Sequence, residues 1–266
     1  PMEDIIEEVK KLAKSGYKEI ILIAQDTTKY GIDIYGKPKL AELLKKLCKI
    51  DVIKWIRFLY AYPETIDDKL IKVVKKNEKI CKYFDIPIQH ISDSVLKRMN
   101  RKSNSESIEL LIKKLREKIP NVIIRTTVMV GFPGETQEDF EKLCNFVESA
   151  KFDKLGAFAY SKEEGTPAAK LKEQVHPMTK KARYNKIMEI QQKVSDENLN
   201  KYIGKQLEVL VEGKTIDGKY YVCRSYMDVP DIDGLIYLNN SKELKIGDFV
   251  KCTIKSSINE YDLLGE

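Results

Sequence analysis

Residues Val122–Thr136 read VIIRTTVMVGFPGET: nine residues rich in β-branched side chains, then a turn holding two glycines, a proline and a Glu-Thr pair. The run suits a buried strand, because branched side chains pack well on a pleated surface. Beyond it, Gln137–Ala150 carries apolar residues at helical spacing, with Thr136 placed to cap the first turn. The stretch is therefore a strand–turn–helix unit. Gly131 and Gly134 permit close backbone approach, and the following helix start offers N–H groups to an anion or carboxylate. It is no phosphate-binding loop, since the Gly-Lys-Ser/Thr ending is absent. A tight turn capped by Thr136 accounts for the same residues.

Outward from this unit the grammar repeats. Lys18–Ala24, Lys54–Leu59, Cys81–Ile86 and Lys154–Ala159 are short and apolar, and read as strands. Asp4–Ser15, Leu40–Lys49, Asp67–Lys76, Ser92–Met99 and Ser105–Lys118 are amphipathic at helical spacing, with Thr65 and Ser92 as further capping residues. That pitch is the pitch of βαβ units building a parallel sheet. Five units are too few for a closed eight-fold barrel, and the first complete element is a helix. A six-stranded open α/β barrel lacking its first strand fits, and a five-stranded doubly wound sheet fits nearly as well. After a long helix at Pro177–Tyr202, short strands follow at Gln206–Val211, Lys219–Cys223, Leu235–Leu238, Phe249–Ser256 and Tyr261–Leu264. These predict an all-β barrel of OB-fold size. The expected domains are 1–202 and 203–266.

Composition narrows the function classes. No run of 18 apolar residues is present, so no membrane helix is expected. The start Pro1-Met2-Glu3-Asp4 has no secretory-signal character, and an opening proline suggests a piece of a longer chain. The five cysteines (Cys48, Cys81, Cys144, Cys223, Cys252) are dispersed without a C-x-x-C, as expected for reduced core cysteines of a cytoplasmic protein. Residues 200–266 hold 9 Lys+Arg against 11 Asp+Glu, a net charge of −2, whereas the chain as a whole is +6. The positive excess therefore lies in the larger domain.

Chemistry in parallel sheets gathers where strands end. Five such junctions, at 24–31, 60–63, 87–93, 131–136 and 160–167, are rich in polar and aromatic residues. Capped loops alone would also look this way. His90 is one of two histidines, and a lone loop histidine reads more readily as a hydrogen-bonded structural residue than as a catalyst. Tyr60 and Tyr62 could stack on a ligand or simply pack.

In order along the chain, these junctions resemble the radical-SAM methylthiotransferase family. The resemblance rests on G-F-P-G-E-T at 131–136, on Tyr160-Ser161 with Glu164-Gly165-Thr166-Pro167-Ala168, and on a C-terminal barrel like the family's TRAM domain. The segments 24–35 (AQDTTKYGIDIY), 60–63 (YAYP), 85–93 (DIPIQHISD) and 231–238 (DIDGLIYL) are more similar to the branch acting on ribosomal protein uS12 than to the tRNA-modifying branch. The resemblance implies a full-length enzyme with S-adenosylmethionine and two [4Fe-4S] clusters, ligated by cysteines that this chain does not contain. It also implies that this chain begins just after the cluster loop and is inactive alone. The implied reaction is radical transfer of a methylthio group to the β-carbon of an aspartate of uS12.

By the same resemblance, Gln25, Gln89, Arg125, Thr127, Val130, Gly131, Tyr160 and Ser161 are candidates for holding S-adenosylmethionine. Tyr60, Tyr62, His90, Asp231 and Asp233 are candidates for meeting the protein substrate. No residue of this chain is expected to bind metal, and neither a catalytic residue nor the electron donor is assigned. Two alternatives stand beside this reading: a tRNA adenosine methylthiotransferase, and a non-catalytic α/β plus OB-like binding module. RNA binding draws on cations facing phosphates, which a small domain at −2 suits less well than it suits a basic ribosomal protein.

Overall fold

The computed structural model describes residues 1–239 and 242–266. Five parallel strands form the larger part: β1 (Glu19–Leu22), β2 (Trp55–Phe58), β3 (Tyr83–Gln89), β4 (Ile123–Val130) and β5 (Lys154–Ala159). β1 pairs with β2, and β3, β4 and β5 pair in that order. An isolated parallel bridge, Ile56 to Ile80, joins β2 to the lead-in of β3. Strands thus neighbour one another in chain order. The connecting helices are α1 (Met2–Lys14), α2 (Ile32–Tyr35), α3 (Leu40–Leu47), α4 (Asp68–Lys76), α5 (Asp93–Arg98), α6 (Ser105–Lys118) and α7 (Gln137–Ala150).

Alternation along the strands explains the layering. Ile20, Ile56, Phe58, Phe84, Ile86, Ile124, Val128, Val130 and Ala157 share one core with the apolar stripes of these helices. The other face carries Arg125, Thr127 and Met129 of β4, all partly exposed. One face clothed in helices and a concave opposite face describe part of a βα barrel rather than a doubly wound sheet.

Two of the three proposed caps differ from expectation. Thr136 caps α7 in a reciprocal box with Asp139. Asp67, not Thr65, caps α4, accepting from Leu70 N–H. Ser92 precedes α5 without a side-chain cap, because its hydroxyl is drawn to Asp139.

The helix α8 (Pro177–Asn200) leads to a closed barrel of β6 (Gln206–Lys214), β7 (Tyr221–Ser225), β8 (Ile236–Leu238), β9 (Phe249–Ser257) and β10 (Leu263–Gly265). This small barrel seals one mouth of the larger sheet. Trp55, Tyr83 and Ile123, the first residues of β2, β3 and β4, share a core with Leu210, Met227 and Val229. The Trp55 and Phe249 rings meet edge to face, with centroids 4.8 Å apart.

Candidate functional site

The concave face has a floor and a rim. The floor lies near the strand starts, where each strand carries one charge: Glu19, Arg57, Asp85, Arg125 and Lys154. Asp85, Arg125 and Lys154 are direct neighbours in the register of β3, β4 and β5. Buried charges persist only when paired, and the small barrel supplies partners. Lys154 Nζ lies 2.9 Å from Asp228, Arg224 donates to Glu19 at 2.6 Å, and the Tyr83 hydroxyl donates to Asp233 at 2.7 Å. Arg125 donates to Asp85 at 2.8 Å and lies 3.8 Å from Asp233. Burial works against the Lys154 charge, but Asp228 and Asp233 outweigh it and raise its pKa. Burial lifts the Asp233 carboxyl above the usual range against the pull of Lys154.

This geometry corrects two expectations. Arg125 sits low in β4, committed to two carboxylates, not at the rim beside a ligand. The Asp233 side chain is 3% exposed and locked between domains, so it presents no charge to a basic partner. Asp228 is likewise buried. Of that loop's three aspartates, Asp231 alone stays exposed, at φ 61°.

The rim lies at the opposite ends of the strands. Three consecutive ends turn through left-handed backbone: Tyr60 (φ 57°), Gln89 (φ 68°) and Gly131 (φ 71°). At a non-glycine residue this costs on the order of 1–3 kcal/mol and recurs at functional sites. Tyr60 is held on both sides: its N–H donates to Asp85 Oδ2 at 3.0 Å, and its carbonyl accepts from Thr27 N–H at 3.1 Å. Gln89 is the centre of a three-residue turn closed by His90 N–H on Ile88 O at 2.9 Å.

The Gly-Phe-Pro-Gly-Glu-Thr turn is a structural knot. Gly131 N–H donates to the Glu135 carboxylate, which also accepts from Arg183 of α8 at 3.0 Å. A Cβ at Gly131 would fall 2.4 Å from Lys180 Cγ, and one at Gly134 equally close to the Arg98 guanidinium. The close approaches that these glycines permit are therefore made by the chain itself. Thr136 and Asp139 cap the helix start reciprocally, which occupies the N–H groups of both residues.

His90 is fully buried. Its Nδ1 accepts from Ser92 N–H at 2.9 Å, which places the proton on Nε2, 3.3 Å from Glu135. It cannot touch a macromolecular substrate, contrary to expectation. Val130 is buried in the helix-side core, and its carbonyl accepts from Tyr160 N–H. Tyr160 is buried against Phe132, ring centroids 5.2 Å apart, with the Lys180 ammonium over its other face. These three support the rim.

What remains available is a smaller set. Gln25 and Ser161 are exposed, Gln89 and Thr127 are partly so, and none of the four side chains has a hydrogen-bond partner among the described residues. Thr127 lies opposite Gly156, above which a Cβ would find open space. Tyr60 and Phe158 expose their rings to the same concavity. Tyr62 is half-buried between Lys29 and Arg101. Uncommitted amides and hydroxyls beside apolar rings fit the amino-acid and adenosine ends of S-adenosylmethionine. Iron–sulfur clusters do not fit these residues: among the described ones, no three Cys, His, Asp or Glu converge as a metal would require, and the free cysteines are scattered.

Sequence reasoning missed Asp85, Glu135 and Arg183, which hold the rim in shape. Asp85 left a signal, a lone charge within an apolar strand facing Arg125 in register. An open cleft of about 860 Å³ lies between α5, α6 and α7. A further open recess of about 660 Å³ lies at the rim itself, lined by Phe158, Tyr160, Ser161 and Lys180. No described helix is long and apolar enough to cross a membrane.

Comparison with known proteins agrees with this architecture. Residues 1–147 match the family model of the radical SAM superfamily, and residues 203–266 match the TRAM domain. The chain is 62% identical over 266 residues to a protein of Alkaliphilus oremlandii named ribosomal protein uS12 methylthiotransferase RimO. Proteins of the same name from Thermoanaerobacter sp. and Clostridioides difficile are 55% and 52% identical. These alignments cover 99–100% of this chain and 59–60% of the relatives, so the chain spans about three-fifths of their length.

Proposed function

This chain belongs to the radical SAM superfamily, and from its similarity to proteins named uS12 methylthiotransferases we propose that it is the substrate-facing part of an enzyme that transfers a methylthio group to an aspartate of ribosomal protein uS12. One observation carries the reading: five parallel strands end at a single rim where Gln25, Gln89, Thr127 and Ser161 are uncommitted, above a floor closed by the small barrel.

Bound there, S-adenosylmethionine would supply the hydrogen-abstracting radical and the transferred methyl group. The chain's own part is placement and exclusion of water. Gln25 and Gln89 present amides to the amino-acid end, and Thr127 and Ser161 present hydroxyls to the ribose. Tyr60 and Phe158 offer apolar faces. Tyr60, with Tyr62 beside it, meets the protein substrate, and the exposed Asp231 offers a carboxylate to a basic partner. Cluster ligands lie outside the described residues, so no step is assigned to them.

The net charge of −3 over residues 203–266 (8 Lys+Arg against 11 Asp+Glu) favours a basic protein over RNA as partner. The test uses the full-length enzyme with reconstituted clusters, S-adenosylmethionine and a reductant, offered uS12 or tRNA. Mass spectrometry should find one methylthio group on a uS12 aspartate and none on tRNA. Transfer to tRNA, or to neither, would overturn the reading. Tyr60→Ala should raise KM for uS12 about tenfold with a smaller change in kcat.

A further inference from the structure

We propose that Asp233 of the small barrel is a positioning residue for the opposite rim of the sheet, acting through Arg125 and Asp85 on the left-handed backbone of Tyr60. The contacts form one unbroken line. Asp233 Oδ1 lies 3.8 Å from Arg125 Nε, and Arg125 Nη1 donates to Asp85 Oδ1 at 2.8 Å. Asp85 Oδ2 accepts from Tyr60 N–H at 3.0 Å. The carboxylates are nearly inaccessible, 3% exposed at Asp233 and 2% at Asp85, so each depends mainly on its protein partners.

The division of labour within this line is what couples its ends. Arg125 offers a rigid planar fork, and only that shape can address two carboxylates from fixed directions. With the Asp233 charge 3.8 Å from one edge of the fork, Asp85 needs a single oxygen for Arg125 and keeps the other for the Tyr60 amide. If the Asp233 charge is lost, Asp85 becomes the main counter-charge of Arg125, and gripping it with both oxygens strands the Tyr60 N–H. The left-handed turn at Tyr60 then loses the bond that sustains it. Docking of the small barrel is thereby read out at a residue on the far rim. The coupling goes beyond the uS12 reading and does not depend on it; only its bearing on substrate does.

Amide hydrogen exchange at Tyr60, followed by NMR in the full chain, tests this without any reaction being run. Asp233→Asn should speed exchange of the Tyr60 amide at least tenfold. Arg125→Lys, which keeps the charge but not the fork, should do the same and carries the test alone if the first variant does not fold. Tyr83→Phe removes the side-chain hydrogen bond to Asp233 and loosens the same interface. It should leave Tyr60 within twofold of the parent. The proposal is overturned if Tyr60 exchange stays within twofold in both Asp233→Asn and Arg125→Lys, or if Tyr83→Phe speeds it as much as they do.

Discussion

Gly131 and Gly134 look equivalent in sequence, and their surroundings separate them. Both are left-handed, so alanine at either is strained by on the order of 1 kcal/mol or more. At Gly134 the new methyl meets the tip of the Arg98 side chain, which can swing away at the cost of an exposed pair with Glu173. At Gly131 it meets the stem of Lys180, whose ammonium is bonded to Tyr160 O. Gly131→Ala should therefore lower the urea midpoint more than Gly134→Ala, by about 1 kcal/mol in stability, and Lys180→Ala in the same chain should recover part of the loss. Asp139 makes a pH prediction. Burial alone would raise its pKa, but hydrogen bonds from Ser92, Thr136 and Ser94 outweigh this and hold it below the ordinary value of 3.8. A depressed carboxylate stabilises the fold above its unfolded value, and that contribution is lost as pH falls through the folded one. The thermal midpoint should drop as pH is lowered below about 4, and Asp139→Asn, though less stable at pH 7, should flatten that slope.

The Glu135 carboxylate ties three elements: the turn after β4 through Gly131, the end of β3 through His90, and α8 through Arg183. Removing one partner of a buried pair leaves an uncompensated charge, at about 3–5 kcal/mol. Glu135→Gln and Arg183→Met should each show losses of that order in urea denaturation. The double variant should lose less than the sum, the excess measuring their coupling. None of this was legible in the sequence, although the strands and helices were, almost to the residue for α6, α7 and β5. Periodicity is a local property, so Ile108, Leu111, Ile112 and Leu115 announce α6 unaided. Glu135 and Arg183 are 48 positions apart, and no spacing rule pairs them. His90 misled for a related reason. In sequence it is a polar residue at a strand end, and only the approach of Glu135 shows that it faces inward. Gln25, Gln89 and Thr127 have no such distant partner, so their place at or near strand ends could be read locally.

At the scale of the whole molecule, charge explains why the two barrels form one body. The sheet brings Arg57, Arg125 and Lys154 against Glu19 and Asp85, and the small barrel brings Arg224 with Glu212, Asp228 and Asp233. Each side alone would bury an imbalance, which the other side offsets. The acidic loop at 228–233 thus serves mainly an internal partner, and its sequence could not reveal this because Lys154 lies 74 residues away. Lys154→Met tests the balance. It keeps the stem packed but leaves Asp228 and Asp233 without their shared cation, in surroundings where salt screens little. The loss should approach 3–5 kcal/mol, and it should fall on the interface, since the apolar core of each barrel is untouched. Calorimetry of the parent chain should show one cooperative transition, because separating the domains exposes Trp55, Tyr83 and the floor charges together. In Lys154→Met the small barrel should release first and split the transition in two. Restoring the parental charge balance with Asp228→Asn in the same chain should bring the two transitions back toward one. A variant that melts as a single unit at the parental temperature would mean that apolar contact around Trp55 and Phe249, not charge, holds the domains together.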